Sequence, residues 1–212
     1  MNINKSYKKN FHSSNKNSER IAKRIARSGV CSRRDAERLI QEGRIKVDRK
    51  LIESPATLVT SDSRIFLDDK LIARPSPTAM WRYHKNIGEI VSRNDPQHRK
   101  TIFETLPSNI GYTIAVGRLD INSEGLVLLT NDGALARTLE LPSTGWTRRY
   151  RVRVHGRPNA DDFKTVQSGC NIKGVEYGPI KIVMENKGAN SNCWLTVSLK
   201  EGKNSEVRRI LE

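Results

Sequence analysis

With 212 residues, the chain is long enough for one ordinary domain plus a small one and for a proper buried core. A net charge of +15 and a pI near 10 point to a polyanionic partner, nucleic acid ahead of an anionic membrane or a merely solvated surface. No apolar run approaches a membrane span and the N-terminus lacks the apolar stretch of a secretory signal, so the expectation is a cytoplasmic protein with no membrane attachment.

Residues 1–18 mix Lys, Asn and Ser with almost no periodic apolar pattern, and too little surface can be buried there to offset the entropy of ordering. They read as a disordered basic tail. Order is expected to begin at Ser18, an N-cap type, with Ile21, Ala22, Ile25 and Ala26 at helical spacing and Gly29 as the stop. Ser32 with Asp35 three residues on has the form of a capping box for a second helix. Its stripe is Ala36, Leu39 and Ile40, and Gly43 ends it. Ile45, Val47, Leu51 and Ile52 then suggest a hairpin, and 64–67 a further strand. The basic residues Arg20, Lys23, Arg24, Arg27, Arg33, Arg34 and Arg38 gather on the helix pair, where they either contact the phosphates of a structured RNA without reading its sequence or form a solvated face balanced by Glu19, Glu37 and Glu42. Residues 1–75 carry 18 Lys and Arg against 9 Asp and Glu, so the front of the chain holds most of the positive excess.

Two prolines in 73–78 exclude a helix and mark a linker, which gives a small domain over 19–72 and a larger one over 79–212. The larger one reads mainly as strands: 80–84, 112–116, 126–130, 148–155, 177–185 and 193–199. Helical patterns lie over 101–106, 134–140 and 160–167, and a last helix begins near Asn204. The order suggests an α+β domain on a largely antiparallel, mixed sheet. Within it, Asp120 hangs between the apolar strand ending at Val116 and a turn, at the edge of rigid structure, where a reacting group is best held. An Asp beside Asn122 and Gly125 also serves ordinary turn hydrogen bonds, so the position alone does not decide. Tyr150, Val152 and Val154 alternate with Arg149, Arg151, Arg153 and His155, giving a strand with one apolar and one cationic face. Cys31, Cys170 and Cys193 are far apart and form no Cys-x-x-Cys pair, and the four histidines show no ligand spacing. The cysteines read as small, mostly buried residues, and no metal is expected.

Several ordered blocks carry a resemblance: Arg93-Asn94-Asp95-Pro96 with Thr101-Ile102-Phe103, Gly117-Arg118-Leu119-Asp120, Gly125-Leu126 with Asn131-Asp132-Gly133, Arg149-Tyr150-Arg151-Val152, and Glu201-Gly202-Lys203-Asn204 leading into Glu206-Val207-Arg208-Arg209. Together they resemble the RsuA/RluB/RluF family of ribosomal-RNA pseudouridine synthases, nearest in look to the RluB-like large-subunit branch. The stretch from Ser32 to Asp48 is similar to the RNA-binding domain named after ribosomal protein S-four, whose helix pair carries the RNA-facing surface. The resemblance implies isomerisation of a uridine in 23S ribosomal RNA, with ribosomal RNA or a pre-ribosomal particle as partner, no cofactor, and a monomeric enzyme. It assigns Asp120 the central carboxylate, Arg208 the cation paired with it, and Tyr150 a place under the target base. Arg118 would contact RNA phosphate or fill the gap left by the extruded uridine. It also implies further strands beyond Glu212, so the catalytic domain is expected to lack its C-terminal end. Two other readings stand beside it: a noncatalytic RNA-binding remnant, and a DNA-reading helix-turn-helix over 19–40, whose second helix opens with arginines suited to phosphate and has few base-reading Asn or Gln.

Overall fold

The computed structural model describes residues 18–156, 158–185 and 192–212, so the tail read over 1–18 lies, its last residue apart, outside the described residues. The chain divides into two compact units, Met1–Pro77 and Thr78–Glu212. In the first, the order is β1 (Glu19–Arg20), α1 (Ile21–Arg27), α2 (Arg33–Gln41), β2 (Ile45–Val47), β3 (Lys50–Leu51), β4 (Leu58–Val59), β5 (Ile65–Leu67) and β6 (Lys70–Leu71). Helix α1 starts later than a cap at Ser18 would place it. The preceding backbone is drawn instead into the antiparallel pair β1–β4, and the Ile21 amide donates to the Thr57 carbonyl at 2.9 Å. At α2 the Ser32 hydroxyl accepts from the Asp35 amide at 3.1 Å, as a cap should, but also donates to the Asp35 carboxylate at 2.6 Å. The expected box is therefore half made.

Ile21 and Ile25 of α1, Leu39 and Ile40 of α2, and Ile45, Val59 and Ile65 from the strands share one buried cluster. The four-stranded sheet has the order β3-β2-β5-β6, and its two outer hairpins turn at Asp48-Arg49 and Asp68-Asp69, all four with positive φ. Positive φ at both turn residues is what a tight two-residue hairpin needs. Here it is met without glycine, which is why the β5–β6 hairpin has no ordinary sequence signal.

The second unit runs β7 (Met80–Lys85), β8 (Ile114–Val116), β9 (Gly125–Thr130), α3 (Gly133–Glu140), β10 (Arg148–His155), α4 (Ala160–Gln167), β11 (Cys170–Ile172), β12 (Val175–Tyr177), β13 (Lys181–Met184), β14 (Asn192–Leu199) and α5 (Glu206–Leu211). Two antiparallel sheets result, β7-β9-β8 and β10-β14-β13, beside a β11–β12 hairpin. With the helices they make the α+β architecture that the element order implies. Three elements differ from expectation. The helix at 101–106 is a single 3-10 turn, Ile102–Thr105, capped by Thr101 and Glu104. The strand at 112–116 shortens to β8. The strand at 177–185 breaks in two where the Gly178 amide leaves the ladder to bond the Glu201 carboxylate. Of the cysteines only Cys193 is buried, while Cys31 and Cys170 are half-buried.

The alternation in β10 and β14 sets the larger core. Leu195, Val197 and Leu199 are buried beside Ile182 and Phe163, with Tyr150, Val152 and Val154 on the same side and Val166, Val207 and Ile210 packed against them from α4 and α5. A second cluster, Ile102, Val127 and Leu129, gathers Trp81, Tyr83, Phe103 and Leu119. That cluster anchors the segment leading to Asp120.

Candidate active site

Strand β8 ends at Val116, and Gly117, at φ +73°, turns the chain out of the sheet while its amide donates to the Glu140 carboxylate at 2.8 Å. A positive φ there favours glycine. Three residues later the Asp120 carbonyl accepts from the Ser123 amide at 3.0 Å, closing a turn that presents the carboxylate. Lys85, fully buried at the end of β7, lies under this turn and donates to the carbonyls of Ser123 at 2.7 Å, Asn86 at 2.9 Å and Ile121 at 3.5 Å. Burial pulls the Lys85 pKa down, and the nearby carboxylates of Glu89 and Asp120 oppose that. The ammonium thus ties the turn to the sheet and brings a positive charge near Asp120.

The carboxylate meets the C-terminal part of the unit. Ser205 Oγ donates to Asp120 Oδ2 at 3.0 Å, and Arg208 Nη2 stands 3.5 Å from the same oxygen. The Asp120 side chain is 30% exposed and that of Arg208 46%, so the pair is open to a ligand rather than sealed in the core. Ser205 adopts a left-handed conformation, φ +52°, just before α5, and the helix start is held by the buried Glu206 carboxylate accepting from the Lys203 amide at 2.8 Å. Burial pushes the Glu206 pKa up.

Arg148 joins these parts. One end of its guanidinium donates to the carbonyls of Lys200 at 2.9 Å and Glu201 at 3.1 Å, the other to Leu139 at 3.3 Å and Glu140 at 3.0 Å. Since Glu140 also holds Gly117, this one side chain links the start of the Asp120 segment to the loop before Ser205. Two places along β10, Tyr150 is half-buried among the core residues. Burial raises its pKa, Arg148 lowers it, and the carboxylates of Glu206 and Asp120 add to the rise. Asp120, Arg208 and Tyr150 are therefore gathered at one place. Arg118 is exposed and forms no ion pair among the described residues.

In the first unit the basic residues divide. Glu19 draws in Lys23 at 3.6 Å, Arg24 at 3.7 Å and Arg27 at 3.0 Å, and Arg24 also donates to the Ser61 carbonyl. Arg38 is paired with Asp35 and Glu42. Arg20, Arg33 and Arg34 are exposed and carry no ion pair among the described residues, which makes them the cations most available to phosphate.

Sequence reasoning missed Lys85, Arg148 and Ser205. The signal for the first two was parity: Lys85 shares the inward side of β7 with Trp81 and Tyr83, and Arg148 that of β10 with Tyr150. Ser205 had none beyond its place between Asn204 and Glu206, inside the last of the family-like blocks.

Comparison with known proteins bears on this arrangement. Residues 79–212 match the family model described as RNA pseudouridylate synthase, and residues 19–65 match the S4 domain, which displaces the helix-turn-helix reading of that segment. The chain is 46% identical over 199 residues to an uncharacterised RNA pseudouridine synthase of Rickettsia felis, covering 92% of this chain and 83% of the relative. It is 40% identical over 203 residues to ribosomal large subunit pseudouridine synthase B of Escherichia coli O157:H7, covering 92% and 69%. A crystal structure of a pseudouridylate synthase shares the fold, with a TM-score of 0.59 at 22% identity over 90% of this chain and 81% of that one.

Proposed function

Since this chain belongs to the RNA pseudouridylate synthase family, we propose that it isomerises a specific uridine of 23S ribosomal RNA to pseudouridine, as a cytoplasmic monomer, with Asp120 as the catalytic carboxylate. The observation that carries this reading is the cluster on Asp120 Oδ2, where Ser205 donates and Arg208 pairs while Lys85 fixes the turn from beneath. The reaction breaks the bond from ribose C1′ to uracil N1, turns the base, and joins C1′ to C5. The C5 proton is lost and N1 gains one, so no electrons are exchanged and no redox cofactor is called for.

Asp120 would act by attacking the sugar or the base, or by assisting removal of a ribose proton. Each route needs the carboxylate held close to the reacting atom, and Ser205 and Arg208 together fix the position of its Oδ2. Tyr150 would lie under the flipped uracil, stacking on it and holding a hydroxyl where protons move. Arg118, exposed and two residues before Asp120 in the chain, is suited to a phosphate or to the space the uridine vacates. Arg20, Arg33 and Arg34 of the S4 domain would hold the RNA by its backbone.

The deciding measurement is conversion of uridine to pseudouridine in unmodified large-subunit ribosomal RNA, by this chain and by Asp120→Asn. The expected outcome is conversion by the first and a loss of about 10³-fold or more in the second, with RNA affinity retained. Binding without conversion by the unaltered chain would replace the enzyme with an RNA-binding remnant.

A further inference from the structure

Strand alternation gives the β10-β14-β13 sheet two unlike faces. One is the core side already described, packed against α4 and α5. The other presents Arg149, Arg151 and Arg153 from β10 and Lys181 from β13, all exposed. The cross-strand register places them on one surface: Arg149 and Lys181 both stand opposite Ser198 of β14, Arg151 opposite Thr196, and Arg153 opposite Trp194. Four cations share this face with one carboxylate, Glu185, which is taken up by Arg151 at 2.8 Å and by the Thr196 hydroxyl at 2.6 Å. The Arg151 guanidinium also lies 4.3 Å from the centre of the Trp194 ring. Arg149, Arg153 and Lys181 have no ion pair among the described residues.

A sheet face kept merely soluble carries mixed charge. This one is nearly single-signed and set with arginines about 6.7 Å apart along a strand, a repeat close to that of phosphates along one nucleic-acid strand. Planar guanidinium groups match phosphate oxygens in pairs, and an arginine stacked on an aromatic ring is held in place for that contact. We propose that this open face is a docking surface for the sugar-phosphate backbone of structured RNA, on the side of the sheet opposite Tyr150. A substrate engaged at the Asp120 cluster would then also be held by a second helix or arm of the same RNA. The inference rests on the reading of RNA as substrate.

The test compares the full chain with an Arg149→Gln, Arg153→Gln, Lys181→Gln triple variant, binding unmodified large-subunit ribosomal RNA over a series of KCl concentrations. Every phosphate that the variant no longer neutralises should flatten the slope of log affinity against log salt by about 0.7–0.9, so a change of about 2–3 is expected. The KM for RNA should rise while kcat at saturating RNA stays within about twofold. Arg149→Lys with Arg153→Lys should keep most of the slope, which separates charge from packing, and unchanged near-UV circular dichroism shows that the triple variant is folded. An unaltered slope in the folded variant overturns the docking surface and leaves the proposed enzyme standing. Self-association of the variant with RNA binding unchanged also overturns it, and assigns the arginines to protection of the sheet edge instead. Absence of salt-dependent RNA binding by the unaltered chain removes both.

Discussion

Lys85 shows how one buried cation shapes the candidate site without being exposed to a substrate. Its ammonium is taken out of water and compensated by the Ile121 and Ser123 carbonyls of the Asp120 turn and by that of Asn86 at the end of β7. Lys85→Met would keep the bulk, remove the donors and leave those carbonyls unsatisfied, at a cost of about 1–3 kcal/mol. A turn shifted by even about 1 Å should lower turnover by about 10²-fold. Thermal unfolding and single-turnover conversion of the same variant would measure the two effects separately. The strand and turn around Asp120 were legible in the sequence, but that pattern equally suits an ordinary turn Asp, and only the family-like block Gly117-Arg118-Leu119-Asp120 singled the residue out. Arg208 was reached through its motif, and the structure places it 3.5 Å from the carboxylate; Ser205 was not, since it meets Asp120 only through tertiary folding, and the sequence pattern for β7 stopped at His84, one residue short of the lysine.

At the scale of elements, the β10–β14 pair carries the larger core. Its eight-residue strands were visible in the sequence because alternation of apolar and polar residues survives over their full length. Leu195, fully buried in the central strand, has no route to solvent, so Leu195→Ala should destabilise the protein by about 2–5 kcal/mol in denaturant titration. Elements of two or three residues were less legible: β1 and β6 exist because of their pairing partners, and Gly178 breaks the 177–185 run through a contact with Glu201 that no local pattern encodes. A different prediction attaches to the link between β7 and the segment after it. Burial would raise the Glu89 carboxyl, but the Tyr83 hydroxyl, the Asn86 amide and Lys100 together hold its pKa at about 2, against 4.5 for the free group. Because the folded value is the lower one, this stabilisation is complete above pH 4.5 and is lost as pH falls toward 2. Melting temperature should therefore drop across that window, and Glu89→Gln should make the drop shallower.

For the whole molecule, a net charge of +15, of which four positive charges lie in residues 1–18, makes RNA affinity steeply dependent on ionic strength. With about half a dozen phosphate contacts, raising salt from about 50 to 200 mM should weaken binding by about 10³-fold. Conversion at saturating RNA should change far less, because short contacts at the Asp120 cluster are screened less than long-range attraction. Filter binding and turnover measured in the same buffers would check both statements.

The bond from Ser205 to Asp120 spans 85 residues of chain. A ribosome adding about 5–20 residues per second needs about 4–17 s to travel from one to the other. Throughout that interval the nascent carboxylate has neither its hydroxyl donor nor its guanidinium partner, however well the first strands have already formed. The cluster around Asp120 is thus timed by translation itself, and comes into being only once Ser205 and Arg208 have been made.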